Sequence, residues 1–420
     1  MQYPCDVCGE LFADRLLLDR HKKICTKSKN EDESSPFKSL FKGLVAGAVV
    51  LGGIVYTAVK VAEAIEKRNS ERDSASTSGI QSYRGIEPKG RLELEGKREY
   101  SPPRLGGIGI HHLDFRSPVT ETELNTFIDC HLQPTKEFNN AIQSTVGNIC
   151  FFLQQHMKPD EIIKGGSQGK RTAVKGMCDI DLVMVLNELE DAEDLEKELP
   201  RIRKEIRSKL TRYGGPTLKA KDSKSGLKFK VNGDHGPIKV DLLPTFGFTD
   251  LQTLYCEMRF DKSHSDFYRA ALSKWQVDFV KKYPANVKNL IRLVKYWKKK
   301  MVGKSRNGQR IPNSYLMELI TIYYWEENTR YSDGTFNTLK AFHGIMEALK
   351  DYQFLNIFWT ENYSAKDIPS QILRQRPLVL DPANPTNNVC SGYHWEEIRQ
   401  EAKNVLKSAM MEGVSSFSWK

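Results

Sequence analysis

Hydrophobic and polar positions divide the chain into an isolated apolar run, a long polar stretch, and a remainder in which apolar residues recur at regular periods. The apolar run, Gly43 to Val59 (GLVAGAVVLGGIVYTAV), carries no charge over 17 positions. Lys42 and Lys60 flank it, and their long stems suit a headgroup boundary. This pattern predicts one hydrophobic, membrane-spanning helix over 41–62. Gly43 with Gly47, and Ala48 with Gly52, add small-xxx-small pairs on one helical face, the pattern of helices that pack closely in lipid. Residues 65–115 then turn rich in Ser, Arg, Glu, Gly and Pro, which predicts a flexible linker. Periodic order resumes near Pro118. Thr120 stands where a helix cap belongs, and Phe138, Ile142, Val146, Ile149 and Leu153 recur at spacings of four, four, three and four. Farther on, DIDLVMVL and IKVDLLPTF read as strands, and no internal repeat is evident.

Composition narrows the picture. With 39% hydrophobic and 10% aromatic residues, a chain of 420 residues buries a real core and exceeds one ordinary domain. The balance of 63 Lys+Arg against 53 Asp+Glu leaves +10, which favours an anionic partner such as nucleotide, nucleic acid or lipid headgroups. Eight cysteines are too sparse for a disulfide scaffold and suit a reducing compartment. Three of them join a histidine in Cys5, Cys8, His21 and Cys25, a Cys-x2-Cys-x12-His-x3-Cys array with Phe12 and Leu18 where a ββα finger needs its small core. Four soft or borderline ligands at that spacing suit tetrahedral Zn²⁺, so residues 1–28 are expected to be a structural zinc finger. A single finger reads only about three base pairs, so protein or RNA contact is the better expectation for it. A signal peptide is a poor reading of the apolar run, because it would not follow a finger.

The candidate chemistry lies in IIKGGSQGKRTAVKGMCDIDLVMVL, Ile162 to Leu186. A glycine-rich turn holds Gly165, Gly166, Ser167 and Lys170, with Arg171 next, and it is not a Walker A loop, which needs G-x4-GK[ST]. Asp179 and Asp181 follow on a strand, where i, i+2 spacing puts both carboxylates on one face. Like charges held together call for divalent metal, so the pair implies Mg²⁺ more than a general acid and base. A third acid, Asp241, sits on the second β-like run. Three carboxylates holding two Mg²⁺ ions suit in-line attack of a hydroxyl on a nucleotide α-phosphate. Each element is weak alone. Together they are specific for the polymerase-β-like nucleotidyltransferase arrangement, and that resemblance implies an α+β fold.

From about Phe127 to Trp419 the chain resembles the 2′-5′-oligoadenylate synthetases. GGSQGKRT, CDIDLVMVL and IKVDLLPTF are similar to that family's GGSxGKGT, SDADLVVFL and VDVLPAF, and NLIRLVKYW, IPNSYLMELITIYYWE, FNTLKAFHGIMEAL and RPLVLDPANPTNN continue the match. The resemblance implies a two-lobed enzyme, with a mixed-sheet catalytic lobe over 117–250 and a helical C-terminal lobe over 251–420. It would join ATP units through 2′-5′ bonds, with Asp179, Asp181 and Asp241 as metal ligands. Gly166, Ser167 and Lys170 would bind the nucleotide from the turn, and Lys295 and Tyr315 from the helical lobe. Double-stranded RNA would activate it in innate antiviral defence, through Lys164 and Lys281. Arg171 departs from the family's glycine after the turn lysine, Ser314 from its common glutamine, and Val277 from an arginine some members carry. The segment from Lys281 to Arg310 holds eleven basic and no acidic residues, most of them expected as surface charge. A cyclic-dinucleotide synthase and a non-catalytic membrane-attached RNA sensor are the alternatives. ATP use and reduced cysteines both point to the cytosol, so the expectation is a membrane-associated protein with a cytosolic synthetase domain.

Overall fold

The computed structural model describes residues 3–4, 11–12, 112–177, 179–214, 218–233, 236–303, 308–329 and 334–420. Cys5, Cys8, His21 and Cys25, the apolar run 43–59 and most of the linker lie outside the described residues. Near the start, β1 (Tyr3–Pro4) pairs antiparallel with β2 (Leu11–Phe12). Among the described residues no helix is long and apolar enough to cross a membrane.

From residue 112 the order is α+β. Helix α1 (Glu121–Phe127) starts at Thr120 in a full capping box: the Thr120 side chain accepts from the Glu123 amide and Glu123 reaches back to the Thr120 amide. A wider π-helical turn, Ile128–Leu132, closes it. Helix α2 (Lys136–Met157), capped by Thr135, buries Ile142, Val146, Ile149 and Leu153, the stripe that the sequence periodicity predicts. Strand β3 (Glu161–Lys164) leads through the one-turn α3 (Gly166–Gly169) into β4 (Asp179–Leu186), and α4 (Ala192–Gly214) crosses to β5 (Lys221–Asp222), β6 (Leu227–Gly233) and β7 (Gly236–Phe246). The sheet order is β3-β4-β7-β6-β5. Only the central pair β4 and β7 is parallel, as the crossover through α4 permits.

Alternation divides the sheet's two faces. Ile180, Leu182, Met184 and Leu186 of β4, with Ile238, Val240 and Leu242 of β7, bury against α2 and α4. The opposite face therefore presents Asp179, Asp181 and Asp241. Helices α5 (Leu251–Phe260), α6 (Ser265–Ala271), α7 (Ser273–Lys281), α8 (Ala285–Trp297), α9 (Ser314–Thr329) and α10 (Thr338–Lys350) follow. A three-stranded sheet, order β10-β9-β8, is built from β8 (Asn356–Ile357), β9 (Leu378–Asp381) and β10 (Asn384–Asn388), with α11 (Ser370–Leu373) between β8 and β9 and α12 (Glu396–Leu406) after it.

Two hydrophobic cores result, and they interleave along the chain. Leu124, Phe127, Ile128 and Leu132 pack with α8, α9, α10 and α12 in the helical core. Leu254, Tyr255 and Met258 of α5, and even Leu378 and Leu380 of β9, complete the core beneath the five-stranded sheet. A cut at 250 thus describes chain order, whereas packing exchanges segments in both directions. Helix α9 is buried on nearly every side, as its almost unbroken apolar run SYLMELITIYYW demands, yet it buries Glu318 in its middle.

Candidate active site

Strand register places the carboxylates. Parallel pairing sets Asp181 opposite Asp241 and Asp179 opposite Lys239. Burial, then the neighbouring Asp241 and Asp179 carboxylates, push the Asp181 carboxyl up to about 6. Asp241 turns one oxygen, Oδ2, to Lys228 Nζ at 2.7 Å, and its buried Oδ1 has no hydrogen-bond partner. Asp179 lies 3.8 Å from Lys239 Nζ. Among the described residues no three His, Cys, Asp or Glu side chains are gathered into a metal cage, because two of these acids lean to lysines instead. The donor set fits a divalent cation all the same: three hard oxygen ligands on one sheet face, one carboxyl that resists ionising beside the others, and one buried oxygen without a partner.

The glycine turn presses on these acids. The Gly165 amide donates to the Asp181 carbonyl at 2.7 Å. Gly166 has φ +56°, and a Cβ there would meet Asp181 Oδ2 at 1.7 Å, so no side chain fits. A Cβ on Gly169 would likewise strike the Lys164 carbonyl oxygen at 2.0 Å. The same Cβ would also touch Val277 of α7, which is buried core, at 3.4 Å. Arg171 holds a left-handed φ of 61°, the conformation that a glycine in the family's motif adopts freely.

Helix α8 clamps the segment after the turn. Arg292 donates from Nη2 to the Arg171 carbonyl at 2.8 Å and from Nε to the Ala173 carbonyl at 2.9 Å. Lys295 donates to the Thr172 carbonyl at 3.0 Å, and Lys288 to the Lys281 carbonyl at 2.7 Å. Most of this basic segment is surface charge as expected, with Lys281, Lys282, Lys299, Lys300 and Arg310 exposed, whereas Lys288 and Lys295 are buried, because at helical spacing with Arg292 they face backbone carbonyls.

Glu318, which the sequence reading missed, gathers the nucleotide-side residues. Its Oε2 takes Lys170 at 3.1 Å, and its Oε1 takes Lys295 at 3.0 Å and the Thr172 hydroxyl at 2.6 Å. Burial alone would raise this carboxyl, but the Lys170 and Lys295 ammoniums hold it at about 2. Two lysines against one glutamate leave a surplus positive charge beside the cleft. Lys170 also sits 3.7 Å above the Tyr315 ring. The Tyr315 hydroxyl donates to Asp381 Oδ1 at 3.1 Å, and this fully buried carboxylate also accepts from Gln276 of α7 at 2.7 Å. One signal for Glu318 existed in the sequence: it is the only charge in an apolar run too long to face water.

Gly166, Ser167, Lys170, Asp179, Asp181, Asp241, Lys295 and Tyr315 all line one cleft of about 1130 Å³, together with Glu318 and Ser314. Lys164 closes β3 and Lys281 closes α7, both exposed and neither lining the cleft.

An acid set on the two central strands, with a glycine turn packed against it and a helical lobe across the cleft, defines a polymerase-β-like nucleotidyltransferase. Comparison with known proteins agrees. The family model of the 2′-5′-oligoadenylate synthetase 1, domain 2, C-terminus, matches residues 248–420. The 2′-5′-oligoadenylate synthase 1A of Rattus norvegicus is 30% identical over 325 residues, 67% of this chain and 88% of that protein. The 2′-5′-oligoadenylate synthase 2 of Rattus norvegicus is 31% identical over 69% of this chain, which spans 44% of that longer protein, and the Homo sapiens synthase 2 is 33% identical over 68% of this chain. Among solved structures, E. coli MS115-1 CdnC with ATP superposes at a TM-score of 0.50 and 18% identity, covering 69% of this chain and 89% of that one, which supports the fold. The chain belongs to the 2′-5′-oligoadenylate synthase family.

The Glu318 cluster gives a pH-dependent expectation. Its folded pKa lies below its ordinary 4.5, so its stabilisation is present above about 4.5 and is lost as pH falls through about 2. Glu318→Gln leaves two buried ammoniums facing a neutral amide and should cost about 3–5 kcal/mol at pH 7. In urea unfolding, the gap between variant and wild type should narrow steadily as pH drops from 4.5 towards 2. An equal gap at pH 7 and pH 3 would rule out the ion-pair account.

Proposed function

We propose that this chain is an ATP-dependent nucleotidyltransferase that makes 2′-5′-linked oligoadenylates. The observation that carries the reading is the registered pair Asp181 and Asp241, set against the Gly166 turn and facing Lys170, Lys295 and Tyr315 across the cleft. Asp179, Asp181 and Asp241 would hold Mg²⁺. When bound, two such ions lower the pKa of an attacking hydroxyl and neutralise departing pyrophosphate. The remaining work falls to the protein's own groups.

Asp241, which keeps its buried Oδ1 for the cation, orients the acceptor's 2′-hydroxyl through Oδ2 and takes its proton there. The bond from the acceptor's 2′-oxygen to the donor's α-phosphorus forms as the bond from that phosphorus to the bridging β-phosphate oxygen breaks, and pyrophosphate leaves. Lys170 and Lys295 lend their surplus positive charge to the donor's phosphates, held in place by Glu318. Tyr315 stays protonated, because burial first and Asp381 second push its phenol well above the ordinary value, so its ring is a fixed wall for the nucleotide. Asn replacements of Asp179, Asp181 or Asp241 should each lower pyrophosphate release by about 10²–10³-fold. Linkage-specific nuclease digestion should identify 2′-5′ bonds in the wild-type product. Variants within a few-fold of wild type would sink the assignment, and a cyclic product would move the chain to the dinucleotide-synthase reading.

Duplex RNA is the proposed activator, engaging Lys164 and Lys281 through phosphates and 2′-hydroxyls, so that binding is sequence-insensitive and weakened by salt. Support comes from α7: it carries Lys281 at its end and meets the glycine turn at Val277, so a ligand on α7 bears on the turn. Activity should rise on adding duplex RNA, and the Lys164→Glu, Lys281→Glu double variant should lose that rise. Equal activity with and without RNA would leave the chain constitutively active.

The N-terminal reading is a zinc finger through Cys5, Cys8, His21 and Cys25 and a membrane anchor over 41–62, with the synthetase domain in the cytosol. Its support is ligand spacing and the uncharged run. One zinc per chain should be found by elemental analysis, lost in a Cys5→Ser, Cys8→Ser variant. The synthetase domain should be digested by protease added to intact membranes. Its protection there, or full release of the protein by carbonate, would overturn the orientation or the anchor respectively.

A further inference from the structure

The cleft has a second positively charged wall, built by the sheet. Across the strands, Lys221 of β5 stands opposite Lys228 of β6, which stands opposite Asp241 of β7, which stands opposite Asp181 of β4. The neighbouring row runs Lys230, Lys239, Asp179. Alternation puts both rows on the face that carries the acids, and all four lysines line the cleft. Lys221 with Lys228 and Lys230 with Lys239 are therefore like charges set directly opposite each other, an arrangement that destabilises a sheet.

Among the described residues only two acids relieve this wall, Asp241 for Lys228 and Asp179 for Lys239, and both are acids assigned above to metal. Lys221 and Lys230 have no ion pair among the described residues. A wall of lysines whose only counter-charges are carboxylates committed elsewhere calls for a polyanion in the cleft. The cleft's about 1130 Å³ is near the size of small-ligand sites and takes a nucleotide or a single strand, whereas a duplex does not enter it. Position then says which strand. Lys228 adjoins Asp241, the residue that serves the attacking hydroxyl, while Lys170 and Lys295 occupy the opposite wall against Glu318 of α9.

We propose that Lys221, Lys228, Lys230 and Lys239 form a binding site for the phosphates of a single-stranded oligoadenylate, the growing product, separate from the Lys170 and Lys295 side. The identity of the strand rests on the function proposed above; the lysine site itself rests on the sheet register. The test uses the full-length protein and three probes, ATP, a synthetic 2′-5′-linked triadenylate carrying a 5′-triphosphate, and duplex RNA, with affinities measured across a range of salt. In the Lys221→Gln, Lys230→Gln variant, the slope of log affinity against log salt for the triadenylate should become shallower by about 1.4, at roughly 0.7 for each phosphate that a lysine no longer neutralises. ATP affinity should stay within about twofold, and Tm should hold or rise, because two like-charge pairs have been removed. An unchanged triadenylate slope overturns the site. So does an equal loss for ATP, a loss confined to duplex RNA, or a fall in Tm, which would make the lysines structural. If the wild type binds the triadenylate through these lysines yet releases no pyrophosphate from ATP, the proposed function fails and the site stands. If it releases pyrophosphate and the variant binds as the wild type does, the site alone fails.

Discussion

One buried carboxylate holds the working parts in register. Glu318 is 2% exposed in the middle of an apolar helix, where an isolated carboxylate would not stay ionised. It is ionised because Lys170, Lys295 and the Thr172 hydroxyl converge on it. Those three groups come from the glycine turn and from α8, so a single charge ties α8, α9 and the segment 170–172 together across 148 residues of sequence. Moving any one of these elements separates charges in a dry place, and that resistance to movement is what a phosphate-handling site needs.

The turn itself is held from both sides. Asp181 lies so close to Gly166 that neither can shift alone, and Val277 backs Gly169. Beyond it, Arg171 takes a left-handed conformation that favours glycine, and the chain stays there because Arg292 and Lys295 satisfy three consecutive carbonyls, those of residues 171, 172 and 173. The departure from the family's glycine at this position is thus tolerated by contacts from α8 rather than by intrinsic freedom of the backbone.

What was legible in the sequence follows the range of the forces involved. Asp179 and Asp181 on one strand face, the Thr120 cap and the α2 stripe are local patterns, and a reader of ten or twenty residues finds them. The joining of Asp181 to Asp241 depends on a parallel pairing across 60 residues, which became readable only through the family's motifs. Glu318, Arg292 and Asp381 were missed for another reason: their meaning lies in what they touch. A basic segment reads as solvated charge until a helix turns Lys288, Arg292 and Lys295 toward carbonyls, and no local rule distinguishes those lysines from their exposed neighbours Lys299 and Lys300. The interleaved cores escape for the same cause, since Leu124 and Leu254 look alike in sequence and pack in different lobes.

The two walls of the cleft carry the same charge in different physical states, and the difference suits different tasks. On the helical wall Lys170 and Lys295 are buried, bonded and fixed, so their charge is already aimed before a nucleotide arrives. In-line displacement rewards that preorganisation, because a donor phosphate displaced by even an ångström loses its alignment with the attacking oxygen. On the sheet wall Lys228 and Lys239 are largely exposed on flexible stems, Lys228 bonded to Asp241 at 2.7 Å and Lys239 standing 3.8 Å from Asp179. Mobile charges of that kind attract a phosphate chain without dictating its length or exact position. A transferase that extends its own product needs both: one partner held rigidly for chemistry, and one free to slide after each addition.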